Sequence, residues 1–128
     1  NILYPGYTIF SCKKHATELH ELPEKFKMQY LREMTFVAEC IWHIYKPRKL
    51  NYELLGNAEN HLHWHIIPRY HEEKHLQTNP IWVVEEQKRK QVVKPKKLAE
   101  LVKEMKINIK DLQQHKKISP SVKIKFEL

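Results

Sequence analysis

Residues 60–70 read "NHLHWHIIPRY", and the way this stretch folds decides the fold of the chain around it. His61, His63 and His65 alternate with Leu62, Trp64 and Ile66. In a β-strand, side chains at i, i+2 and i+4 point to one face and those between point to the other. The alternation therefore predicts a strand over Asn60 to Ile67, ended by Pro68. Three imidazoles would share one face, and large apolar side chains would bury the other. Three uses of such a row compete. A solvent-facing strand with no task could carry histidine, although threonine or lysine would serve it equally well. A metal site could use neutral imidazoles as ligands. However, neighbouring histidines on a strand lie roughly 6.5–7 Å apart, so the outer pair is about 13 Å apart and all three cannot meet one tetrahedral ion. Phosphoryl chemistry is the third use: imidazole is a good nucleophile at phosphorus, and adjacent imidazoles can hold phosphate oxygens and move a proton.

Working outward, Tyr7 to Cys12 ("YTIFSC") is a β-prone run after a Pro5-Gly6 turn signal. Phe26, Tyr30, Met34, Val37, Ile41 and Ile44 then recur at steps of three and four. They predict one long helix, opened by Pro23 and stopped before Pro47. Leu50 to Leu55 reads as a strand, with Gly56-Asn57 as the turn that follows. Beyond the histidines, 71–80 is polar and loop-like, and Ile81 to Val84 is a short apolar strand. Leu98, Leu101, Val102, Met105, Ile109 and Leu112 predict a second amphipathic helix opened near Pro95, and 122–128 alternates like a strand. Strands cluster rather than alternating with helices, so the fold class is α+β with an antiparallel sheet.

At 128 residues and 41% hydrophobic, the chain can bury a core of its own. No apolar window is long enough to span a bilayer, and the first twelve residues lack a basic secretory n-region. The sequence opens at Asn1 without a Met and meets the turn almost at once, so residues upstream are expected. Cys12 and Cys40 form no CxxC and read as buried thiols in a reducing compartment. The net charge of +8 favours anionic partners such as nucleotides, polyphosphates or nucleic acid. The densest positive run, Lys88 to Lys97, would suit nucleic acid, or would simply be a solvated linker.

"HLHWHII", His61 to Ile67, matches the pattern His-φ-His-φ-His-φ-φ at every position, with φ hydrophobic. The sequence thereby resembles the histidine triad (HIT) family of nucleotide hydrolases and transferases. Tyr4 to His15 ("YPGYTIFSCKKH") is similar to the family's Pro-Gly turn, strand and Lys-x-His segment, and "HWHIIPRY" looks like short bacterial members. The resemblance spans 4–70, within one expected domain, 1–128, that ends in an extension over 85–128 holding the second helix and the strand-like tail. It implies an antiparallel sheet of about five strands under a long helix, a homodimer, and a cytoplasmic enzyme without a membrane anchor. It also implies a nucleotide phosphohydrolase or nucleotidyl transferase, of the dinucleoside polyphosphate or nucleoside phosphoramidate class.

In that reading His63 attacks the α-phosphate to give a nucleotidyl-histidine, while His61 and His65 orient it, touch phosphate oxygens or assist the proton. Asn57, in the turn before the histidines, and Arg69, just after them, are the expected substrate-binding residues. His15 fits the Lys-x-His segment, whereas Tyr7 stands where many members carry a histidine. The family's nucleoside pocket draws on strands upstream of the Pro-Gly turn, the point at which this sequence starts. No cofactor or resident metal is required, and a divalent cation could accompany the substrate as counter-ion. The alternatives are a non-catalytic nucleotide or nucleic-acid binding module and a zinc-binding protein.

Overall fold

The histidine strand is the middle of the sheet. In the computed structural model, which describes residues 4–73, 80–81 and 95–116, the elements run β1 (Thr8–Ser11), a 3-10 turn (Leu19–Glu21), α1 (Glu24–Tyr45), β2 (Lys49–Glu53), β3 (His63–Arg69) and α2 (Pro95–Lys116). The described strands are antiparallel in the order β1-β3-β2. The expected α+β class is thus present. The expected strand at 82–84, the basic run 88–94, the tail 122–128, His75 and Trp82 lie outside the described residues.

β3 differs from its sequence reading at both ends. It starts at His63 rather than Asn60. Leu62 is drawn into a loop contact, its N–H donating to the Ala16 carbonyl (2.8 Å) and its carbonyl accepting from the Cys12 N–H (2.9 Å). The strand also runs through Pro68 to Arg69. Proline is tolerated there because of where its nitrogen points. The Arg69 carbonyl accepts from the Arg48 N–H (2.8 Å), so Arg69 bonds towards β2. Bonding sides alternate along a strand, so Pro68 faces the β1 side. There the pairing has already ended, at Thr8 with Ile66, and no ladder bond is lost.

Register sorts the side chains. Phe10, Trp64, Ile66 and Leu50 belong to the core that α1 closes with Met34, Val37 and Ile41. The buried arc of α1 is wider than the stripe its periodicity gave, adding Phe36, Ala38 and Cys40, because α1 packs against α2 as well as β3. Met105 and Ile109 of α2 join the same core. A second cluster, Cys12, Ala16, Leu22, Tyr30 and Leu62, lies beside it. Cys12 and Cys40 are both buried, as expected, and sit in separate clusters. At its C-terminus α1 stops where Lys46 turns left-handed (φ 48°, ψ 47°), with Pro47 barring another helical turn.

One turn positions the site. The Tyr7 N–H donates to the Tyr4 carbonyl (2.9 Å) around Pro5 and Gly6, and Gly6 has φ +84°. Proline then a positive-φ glycine is the type II pattern. Glycine is required here a second time, because a Cβ at this position would lie 2.6 Å from the Tyr45 ring. The Tyr70 hydroxyl donates to the Pro5 carbonyl (2.6 Å). Held from the end of α1 and the end of β3, the turn delivers Tyr7 onto the sheet face opposite the helix. No helix among the described residues is long and apolar enough to cross a membrane.

Candidate active site

Alternation along β3 places His63, His65 and Ile67 on the face away from α1. Across the register, Ser11 and Ile9 of β1 stand beside His63 and His65, and Glu53 of β2 stands beside His65 from the other side. The far end of this face is closed by Tyr4, Ile67 and Ile81. The open end holds the imidazoles.

Their protons can be placed from the bonding partners. The Nδ1 of His63 lies 2.6 Å from the His61 carbonyl oxygen. A carbonyl only accepts, so Nδ1 carries the hydrogen. In the neutral ring Nε2 is then a bare lone pair. That atom lies 3.0 Å from the Nε2 of His65, which must therefore donate. His65 is left with a bare Nδ1, and the Tyr7 hydroxyl sits 2.6 Å from it. The result is a directional chain: Tyr7 O–H to His65 Nδ1, His65 Nε2–H to His63 Nε2, His63 Nδ1–H to the His61 carbonyl. With both rings neutral, every link has one donor and one acceptor.

Electrostatics agree with that state. Burial first, and the neighbouring His63 second, hold the His65 pKa below its ordinary value, favouring the neutral ring. Burial, and then the Glu53 carboxylate, push the Tyr7 hydroxyl up to about 12, so it keeps its proton at neutral pH. The Tyr7 ring also stacks on His65 at 5.9 Å between centroids. His63 is 9% exposed, enough to present one edge and little more.

His61 is not on the strand face with the other two. It lies one turn of loop earlier, its Nε2–H donating to the Cys12 carbonyl (2.8 Å), with the His15 ring 5.7 Å away. Its contribution at the centre is its backbone carbonyl. Asn57 is exposed in the loop between β2 and β3. Arg69 shares the strand face of His63 and His65 by alternation, but it lies six residues along β3 from His63, about 20 Å away at strand rise. Its guanidinium is buried, bonded through Nε to Glu73 (2.8 Å) and through Nη1 to Asn51 (2.8 Å). Glu53 and Ile9 were missed by sequence reading because only strand register brings them to His65. Tyr7 was noticed only as a departure from the family's histidine.

Fold and site together define an α+β protein whose middle antiparallel strand carries an oriented pair of imidazoles. The chain belongs to the HIT-domain family: the HIT domain matches residues 3–72. It is 31% identical over 70 residues to Protein hit of Bacillus subtilis (strain 168), a match covering 51% of this chain and 48% of that protein. The chain thus spans about half the length of this curated relative. It is similar in structure to a histidine triad protein of Bradyrhizobium japonicum, with a TM-score of 0.71 at 24% identity over 83% of this chain and 78% of that one. A histidine triad protein of Sinorhizobium meliloti 1021 gives 0.71 at 19% identity over 82% and 77%. At these identities the likeness to solved structures establishes the fold.

Proposed function

We propose that the chain is a nucleotide phosphohydrolase or nucleotidyl transferase acting at an α-phosphate, with His63 as nucleophile. The observation that carries the reading is the bond from His63 Nδ1–H to the His61 carbonyl (2.6 Å). It fixes the tautomer whose Nε2 lone pair can attack, and it holds the cation that forms on the ring afterwards.

In the first step a bond forms from His63 Nε2 to phosphorus, and the bond from phosphorus to the leaving group breaks. The leaving group departs as an anion held by the His65 Nε2–H, which stays on the neutral ring, and takes its proton from solvent. Water then attacks phosphorus and loses a proton to solvent as the bond to His63 breaks, which restores the resting state. In a transferase an acceptor hydroxyl would take the place of that water. His61 acts here through its backbone carbonyl. Ile9, 55% exposed beside His65, offers an apolar surface to a base or leaving group. Asn57 would bind phosphate only if its loop folds over the strand on substrate entry.

This route needs no cofactor, and a divalent cation would serve as the substrate's counter-ion. A homodimer and a cytoplasmic location belong to the same reading, supported by the family alone.

The test compares wild type with His63→Ala on dinucleoside polyphosphates, adenosine phosphoramidates and nucleotide sugars. Turnover by wild type alone is expected, with a nucleotidyl adduct on His63 trapped by rapid acid quench. The proposal fails if wild type turns over none of them, or if the variant matches it. Binding without turnover would point instead to a nucleotide-binding module.

A further inference from the structure

The chain of donors does not end at the imidazoles. It begins at a phenol, contributed by the turn that precedes β1. We propose that Tyr7 is the positioning residue of the site: by donating its hydroxyl hydrogen to His65 Nδ1, it holds His65 as the Nε2–H tautomer and so makes His65 the hydrogen-bond donor beside His63. The inference rests on the reading of His63 as nucleophile for its catalytic consequence, but its structural half can be examined without any substrate.

Three observations meet at this point. First, with both rings neutral, the 2.6 Å contact joins an oxygen that can donate to a ring nitrogen that must accept, given the direction imposed from the His61 carbonyl. Left to itself, a neutral imidazole can carry its hydrogen on either nitrogen. Were it on His65 Nδ1, the bare Nε2 atoms of His63 and His65 would face each other at 3.0 Å, lone pair against lone pair. Second, Tyr7 is placed by construction. The type II turn at Pro5-Gly6 is pressed on the Tyr45 ring and bonded by Tyr70, and the phenol ring lies at only 24° to the plane of His65. Third, the groups facing His65 are of suitable charge. They include Tyr7 from the turn before β1, Glu53 from β2 and His63 from its own strand. Glu53 and burial keep the phenol protonated, so it serves as a standing donor and not as an acid that is spent.

The chemistry gains in a specific way. As negative charge builds on the leaving group, the hydrogen bond from His65 Nε2–H strengthens, electron density rises on Nδ1, and the bond from Tyr7 strengthens with it. It is therefore worth more in the transition state than in the ground state, the condition for raising kcat. Tyr7→Phe, which keeps the ring and its stacking, should lower kcat by about 10–100-fold, the usual cost of losing a partner that fixes an imidazole, with KM little changed.

The deciding measurement is the nitrogen NMR of histidine-labelled full chain at neutral pH, without ligand. In wild type, His65 should show a bare Nδ1 and a protonated Nε2. Tyr7→Phe should move it towards the other tautomer or a mixture, and Tyr7→His, whose ring N–H can donate, should bring it back. A protonated Nδ1 in wild type overturns the proposal on its own, whether or not the variants fold. So does an unchanged tautomer in a folded Tyr7→Phe. Absence of turnover with the tautomer as described would sink the enzyme reading and leave Tyr7's placement standing. Turnover with the opposite tautomer would do the reverse.

Discussion

Removing the Glu73 carboxylate should cost this protein about as much stability as truncating a large core side chain. Arg69 and Glu73 are almost wholly buried, their side chains 5% and 10% exposed, with Nε and Oε2 2.8 Å apart. In Glu73→Ala the guanidinium keeps the Asn51 amide oxygen but loses the Glu73 carboxylate. Breaking a buried ion pair from one end costs about 3–5 kcal/mol, because the remaining charge stays desolvated. Asn51 offsets part of this, which favours the lower end. The Tyr70 N–H also loses the Glu73 Oε1 it donates to, adding about 1 kcal/mol. The total is about 4 kcal/mol, a fall in Tm of about 10–20 °C for a domain of this size.

Urea denaturation of wild type, Glu73→Ala and the paired replacement Arg69→Met with Glu73→Leu measures it. The paired replacement removes both charges and fills the space with apolar side chains, so it should come out within about 1 kcal/mol of wild type. A loss below about 1 kcal/mol for Glu73→Ala is the worth of a solvated surface pair, and it would refute the reasoning. The same variants test the site. With Arg69 about 20 Å along the strand from His63, the folded paired replacement should keep its KM. A raised KM at unchanged stability would return Arg69 to the phosphates.

His63→Ala should lower turnover by about 10³-fold or more, and because the ring is buried and bonded at both nitrogens it should also lower stability by about 1–3 kcal/mol in urea. His65 gives a pH dependence of known sign: its pKa is held below the ordinary 6.5, by burial and then by His63. As pH falls below that value the unfolded chain gains a proton that the folded chain resists, so stability declines down to the folded-state pKa and is level above 6.5. Urea midpoints from pH 8 to 5 should show this slope flattened in His65→Asn; a steeper slope in the variant would reverse the assignment. Gly6→Ala should cost about 2–4 kcal/mol by calorimetry, from a left-handed backbone and a clash with Tyr45.

Much of this was legible in the residues. The period of α1 and the alternation at 63–67 each report a single element, and a single element can be read from its own side chains. What escaped was relational. Pro68 looked like a strand end because proline lacks a donor. Whether that matters depends on whether a neighbouring strand is still present to receive one, and β1 has already ended there. Arg69 looked like a phosphate ligand from its place after the motif, but the sequence does not say that Glu73 folds back onto it or that Asn51 lies across the register. Glu53 and Ile9 flank His65 for the same reason: antiparallel register places them there, and no local pattern encodes it.

The three histidines of the motif therefore have three different physical jobs, although the sequence spaces them identically. The strand begins at His63, so only His63 and His65 share a face and can touch ring to ring. His61 is bent away, and that bend turns its carbonyl towards the ring of His63. A straight strand through residue 61 would have put a third imidazole in the row and sent its carbonyl into the sheet. The Nδ1 of His63 would then have had no fixed acceptor. Leu62 enforces the bend, buried beside Tyr30 and Leu22 with its backbone tied to Ala16 and Cys12. The apolar spacer is thus what makes its neighbour's carbonyl a functional group. With both rings neutral, the direction of the whole proton chain, out to Tyr7, follows from that one carbonyl's inability to donate.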